Sequence, residues 1–246
     1  MKTPVIVFKN VSKTYPFYSS FTTGIKNFLF NLPKAIKTVY KTKFEALKDI
    51  SFEIFAGETV GFIGKNGAGK STILGLIAGV IKPTSGVIEV NGRVSPLLEL
   101  GAGFHYELTG RENILLNGVL LGLTKKEVLE KMDSIIEFSE LGEFIEQPIR
   151  TYSSGMLARL GFSVVAHLDP DILLIDEMLA VGDNAFQQKC LKKMLEFKDR
   201  GVTMVFVSHS MDDIKKICDR VIWIKDHQIK QIGNPEEVVQ NYIQDS

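Results

Sequence analysis

The feature that most constrains this chain is the stretch Gly64-Lys65-Asn66-Gly67-Ala68-Gly69-Lys70-Ser71, set between an apolar run at 59–63 and a helical pattern at 70–79. Its glycines let the backbone turn tightly and bring its amides together. A helix starting there offers amide groups with no intrahelical partner and the positive end of its dipole. Strand, glycine loop and helix in that order make a phosphate cradle. The residues from Gly64 to Thr72 would wrap a nucleoside triphosphate, with Lys70 reaching the β- and γ-phosphates and the Ser71 hydroxyl binding Mg2+.

A second apolar run, 171–175, ends in Asp176 and Glu177. Carboxylates at the C-terminal edge of a strand face the crevice in which a phosphate loop sits. There Asp176 would hold Mg2+ and Glu177 would orient and polarise the attacking water. A third run, 202–207, ends in Ser208-His209. Helical patterns follow each run, at 70–79, 185–198 and 211–218, which argues a mainly parallel sheet in an α/β layer. Residues 5–8, 50–55 and 87–90 also read as strands, the last entering a tight turn at Asn91-Gly92. No convincing strand occurs over 110–168, which reads as a helical lobe inserted into the sheet.

Tyr152-Ser153-Ser154-Gly155-Met156 opens an apolar helix that runs to about Leu168, and small residues at such a terminus can hold an anion. This segment resembles the signature sequence of ATP-binding cassette (ABC) ATPases, commonly Leu-Ser-Gly-Gly-Gln. Ser153 and Gly155 agree with it; Tyr152, Ser154 and Met156 depart from it. Gly155 stands 21 positions before Asp176, with Pro170 between them. The resemblance implies that Ser153, Ser154 and Gly155 bind the γ-phosphate held by the Gly64 loop of a second copy, in a head-to-tail dimer with two ATP. It also implies that Ala180-Val181-Gly182-Asp183 crosses the dimer interface, that His209 contacts the γ-phosphate and that Tyr15 stacks on adenine. The family's usual glutamine has no clear counterpart, and Glu99 is the nearest polar candidate.

The resemblance covers the chain from Val5 to about Tyr242 and is nearest to subunits that export lipid-linked polysaccharides of O-antigen, capsule or teichoic acid type. An insertion after Tyr15, Leu98-Glu-Leu-Gly-Ala-Gly-Phe104 with Thr109-Gly-Arg-Glu-Asn113, the Tyr-Ser-Ser-Gly-Met signature and Asp176-Glu-Met-Leu-Ala-Val-Gly-Asp183 carry it. It implies one ATPase domain over 1–246, with an N-terminal antiparallel β subdomain and a helical subdomain over about 104–168. It also implies a polytopic membrane partner and a place at the cytoplasmic face of a bacterial or archaeal cell membrane. The rival readings are an ABC ATPase for another cargo, a non-transport ABC ATPase on nucleic acid, and a P-loop kinase. A second cassette or a long coiled-coil insertion would favour the nucleic-acid reading, and neither is present.

Charge adds one clue. Basic and acidic residues number 29 each, yet eight lysines precede the first acidic residue, Glu45, so the remainder carries an acidic excess of eight. The basic insertion at about 16–44 interrupts a helical apolar spacing at Pro33. Its lysines, Lys34, Lys37, Lys41 and Lys43 among them, suit anionic lipid headgroups or the membrane partner. No apolar run is long enough to suggest a spanning helix, and the N-terminus has no secretory pattern. Cys190 and Cys218 form neither a disulfide framework nor a metal pattern.

Overall fold

The computed structural model describes residues 3–16, 43–97, 101, 103–176, 183–208 and 210–245. Two sheets organise them. The first is antiparallel, in the order β2 (Lys43–Phe55), β1 (Pro4–Pro16), β4 (Ser85–Val90). The second has six strands in the order β5 (Val94–Leu97), β6 (Ile172–Asp176), β7 (Thr203–Val207), β3 (Thr59–Ile63), β8 (Arg220–Lys225), β9 (Gln228–Gly233). All neighbours in it run parallel except β8 and β9.

Side chains alternate across a strand, so β3, β6 and β7, apolar at nearly every position, feed two cores. Val60, Phe62, Leu174, Val205 and Val207 pack on one side, with α1 (Lys70–Ile77) and the inner face of the antiparallel sheet. Ile63, Leu173, Ile175, Met204 and Phe206 pack on the other, with α5 (Asn184–Asp199), α6 (Met211–Ile217) and α7 (Pro235–Asp245). That second core continues into α2 (Gly110–Leu120), α3 (Lys125–Ser139) and α4 (Ser154–Val165), which lie between β5 and β6 in sequence. Phe62 and Phe206 are fully buried, and each such side chain contributes about 1.5–3 kcal/mol by leaving water.

Several sequence expectations change in detail. β1 and β2 are thirteen residues each, far longer than 5–8 and 50–55. They pass a bulge where Asn10 and Asp49 both adopt positive φ and the Asn10 amide donates to Asp49 at 2.9 Å. The expected insertion at 16–44 loses both ends, because Pro16 closes β1 while Lys43 and Phe44 open β2; the rest of it lies outside the described residues. Asn91-Gly92 does not close a hairpin. It carries the chain from β4 in one sheet to β5 in the other. α4 ends at Val165 rather than near Leu168.

Candidate nucleotide site

The loop leaves β3 at Gly64 and enters α1 at Lys70. Gly64 and Gly69 have φ of 151° and 111°, a region that suits glycine. A Cβ on Gly64 would stand 2.3 Å from the Ile224 carbonyl oxygen on β8, and one on Gly69 would stand 2.6 Å from the Ala46 carbonyl oxygen on β2. The loop is thus wedged between the two sheets. The first turn of α1 has no side-chain cap and no acidic residue, so its amides remain suited to an anion. The Lys70 side chain is buried and folds back, donating to the carbonyl oxygens of Gly64 at 2.7 Å and Lys65 at 3.2 Å. Lys65, Asn66, Gly67 and Ser71 are exposed, Ala68 is buried and Thr72 is half-buried.

Strand register brings the other groups to the same edge. Asp176 ends β6 level with Val207 of β7, and Val207 is level with Phe62 of β3. Asp176, Ser208 and Gly64 therefore leave the sheet on one side, with β6 and β3 two strand spacings, about 10 Å, apart. Glu177, Glu99 and His209 lie outside the described residues, as do Ala180, Val181 and Gly182. Tyr15 is half-buried on β1, with the Lys13 ammonium 5.0 Å from its ring centre. It faces Phe44 across the ladder, and Phe44 meets the His227 ring edge-on at 5.4 Å. Sequence reading passed over this aromatic group because Phe44 and His227 are 183 positions apart.

The Ser153 terminus is built by the helical elements. Ser153 caps α4, its hydroxyl accepting from the Met156 amide at 3.2 Å; Ser153 and Ser154 are exposed and Gly155 is half-buried. Tyr152, which departs from the common leucine, is buried and donates its hydroxyl to the Phe144 carbonyl at 2.6 Å. Burial pushes its pKa up to about 12. A Cβ on Gly110 would stand 2.4 Å from that hydroxyl, so Gly110 and Tyr152 are sterically matched. The rest of the Thr109–Asn113 stretch braces the same region. Thr109 and Glu112 form a capping box on α2, Arg111 donates twice to Glu146 at 2.7 and 2.8 Å, and the buried Asn113 amide bonds His105, Leu108 and Thr109.

Further along α4, Arg159 donates to Glu140 at 2.8 Å and to Asp183 at 2.5 Å, over the Phe186 ring at 4.8 Å. Asp183 caps α5, and the Phe186 amide, ahead of Arg159, holds its carboxyl below the ordinary range. Lys189, with help from Arg159, does the same for Glu140. Sequence reading missed Arg159, although a lone cation within the apolar run 156–165 was a visible signal.

A glycine loop at the edge of a parallel sheet, curled round its own lysine and level with a strand-ending aspartate, defines a P-loop nucleotide-binding protein. Comparison with known proteins narrows the class. Residues 47–180 match the ABC transporter family. The chain is 58% identical over 241 residues to the O-antigen export system ATP-binding protein RfbB of Klebsiella pneumoniae, covering 98% of both chains. It is 49% identical to the teichoic acids export ATP-binding protein TagH of Listeria innocua, over 96% of this chain and 69% of that one. In fold it is similar to a solved ATP-binding cassette in a post-hydrolysis dimer, with TM-score 0.72, 21% identity, and coverage of 94% of this chain and 98% of that one. The chain belongs to the ABC transporter family and is an ATPase of that family.

Proposed function

We propose that this chain is the ATP-hydrolysing subunit of an exporter of lipid-linked polysaccharide. It works as a head-to-tail homodimer at the cytoplasmic face of a bacterial or archaeal cell membrane, with a polytopic membrane subunit as its partner. The observation that carries the cargo class is the end-to-end 58% identity to an O-antigen export protein. No described helix is long and apolar enough to cross a membrane.

In each site the amides from Gly64 to Thr72 wrap the triphosphate, and Lys70 exchanges its carbonyl partners for the β- and γ-phosphates. Ser71 and Asp176 are hard oxygen donors of the kind that Mg2+ takes alongside phosphate and water. When bound, Mg2+ offsets the phosphate charge that develops during transfer. Glu177 orients the water and takes its proton, His209 holds the γ-phosphate, and Tyr15 stacks on adenine. The partner copy supplies Ser153, Ser154 and Gly155 at the helix terminus that its Tyr152 anchors. The helices over about 104–168 pass closure to the membrane subunit.

Glu177→Gln is expected to lower kcat about 10²- to 10⁴-fold and to trap an ATP-bound dimer visible by size-exclusion chromatography with light scattering. Turnover near that of the parent would refute the assigned base. For the cargo, co-purification of the membrane partner should yield a complex whose ATPase rises with a lipid-linked glycan. A rise with nucleic acid instead would refute the export reading.

A further inference from the structure

We infer that Phe44 is a second ring of the base site, beside Tyr15, and that His227 is a positioning residue that holds Phe44 there. The inference rests on the proposed stacking of adenine on Tyr15 and extends it. Tyr15 and Phe44 are direct partners in the antiparallel ladder of β1 and β2, so their side chains leave one face of the sheet about 5 Å apart. The Lys13 ammonium stands 5.0 Å from the Tyr15 ring centre and also donates to the Lys82 carbonyl at 2.8 Å. That cation takes one face of the ring and directs a base to the other. Phe44 is 44% exposed, an apolar ring open to a flat ligand. Its place along β2 fits a base rather than a phosphate. Ala46, whose carbonyl oxygen abuts Gly69 of the phosphate loop, lies two residues further on, about 7 Å along the strand. That interval matches the reach of a ribose.

His227 is a costly choice at its position. Lys225 and Gln228 pair across the β8–β9 hairpin, leaving Asp226 and His227 as a two-residue turn with φ of 50° and 65°. Glycine meets the second place of such a turn without strain, and a bulky side chain does not. The ring nitrogen Nδ1 is also buried, with no hydrogen-bond partner among the described residues, and an orphaned buried nitrogen lowers stability. What the ring gains is its edge-on contact with Phe44 at 5.4 Å. The side chain is not needed to join the hairpin to β2, because the Lys48 amide already donates to the His227 carbonyl at 2.9 Å. The hairpin also lines a cavity with Lys65 to Ala68, so Phe44 is placed relative to the phosphate loop itself. A strained residue whose ring supports an exposed one gives up stability for placement.

The test uses the full chain and calorimetric titration with ADP, which keeps hydrolysis and ATP-driven dimerisation out of the measurement. Inorganic tripolyphosphate serves as a probe without a base. Phe44→Ala is expected to weaken ADP binding about 5- to 100-fold, Phe44→Tyr to restore most of it, and tripolyphosphate to bind parent and variants equally. His227→Gly should weaken ADP about 2- to 10-fold, while its midpoint in urea stands equal to or above that of the parent. Affinity and stability thus move apart, which a merely structural histidine would not produce. Unchanged ADP affinity in Phe44→Ala, or an equal loss for ADP and tripolyphosphate, overturns the base contact. Unchanged affinity in His227→Gly, or a loss that comes with a lower midpoint, overturns the positioning role. If Phe44→Ala does not fold, Phe44→Leu decides in its place, because it keeps an apolar side chain and removes the ring. Tyr15→Ala tells the two layers apart. If it leaves ADP binding unmoved, adenine does not stack on Tyr15 and this inference fails with that reading. If it weakens ADP and the Phe44 variants do not, only the second ring fails.

Discussion

Gly110 and Tyr152 show how a side chain can decide a residue's neighbour. The Tyr152 hydroxyl occupies the space that a Cβ at Gly110 would need. Gly110→Ala is expected to cost about 1–3 kcal/mol through overpacking. Tyr152→Phe should cost about 0.5–1.5 kcal/mol by removing one of the two donors to the Phe144 carbonyl, the Gln147 amide at 2.9 Å remaining. Urea denaturation of both variants and their combination should reveal coupling, since removing the hydroxyl relieves the tightest contact and leaves those with Ile145 Cδ1 at 2.8 Å and the Ile145 carbonyl oxygen at 3.0 Å. Strict additivity would contradict the matched-pair explanation. His167 offers a pH test. Burial, chiefly, lowers its pKa from the ordinary 6.5 while its Nδ1 lies 2.8 Å from the Ser163 carbonyl. A base held neutral contributes stability that is complete above about pH 6.5 and is lost as pH falls through its lower folded value. Parent stability should therefore drop more steeply than that of His167→Asn between about pH 7 and 5.

At the scale of elements, what could be read in the sequence follows from burial. β3, β6 and β7 are short and buried on both faces, so they stand out as continuous apolar runs. The Gly64 loop and the Asp176 strand end were legible for the same reason. β5 escaped notice because Pro96 sits inside it, which an edge strand tolerates. β9 escaped because it is wet on one face, alternating exposed and half-buried residues, whereas the buried apolar run Val221–Ile224 of β8 was visible and was passed over. The far ends of β1 and β2 carry Asn10, Ser12, Thr14 and Asp49 in a bulged ladder, a composition that resembles a turn. The wedged glycines of the loop, Gly64 and Gly69, yield a prediction at this scale. Gly69→Ala would strain a left-handed helix entry and strike the Ala46 carbonyl. A loss of about 1–3 kcal/mol is expected, together with a large fall in ATP affinity by calorimetry. Unchanged affinity would mean that the loop is not tightly wedged.

At the scale of the whole molecule, the phosphate loop is hemmed in by carbonyls from strands far apart in the chain, Ala46 on β2 and Ile224 on β8. The Lys48 amide adds a stitch, donating to the His227 carbonyl at 2.9 Å between the same two sheets. A folding intermediate with only one sheet formed would lack half of the mould. Long-range pairings of this kind are made late, because loop closure must come first. Capacity to bind ATP should then emerge at the end of refolding, after helical content has recovered. The nucleotide serves as an inspector of assembly, taken up only by chains whose ends have found each other.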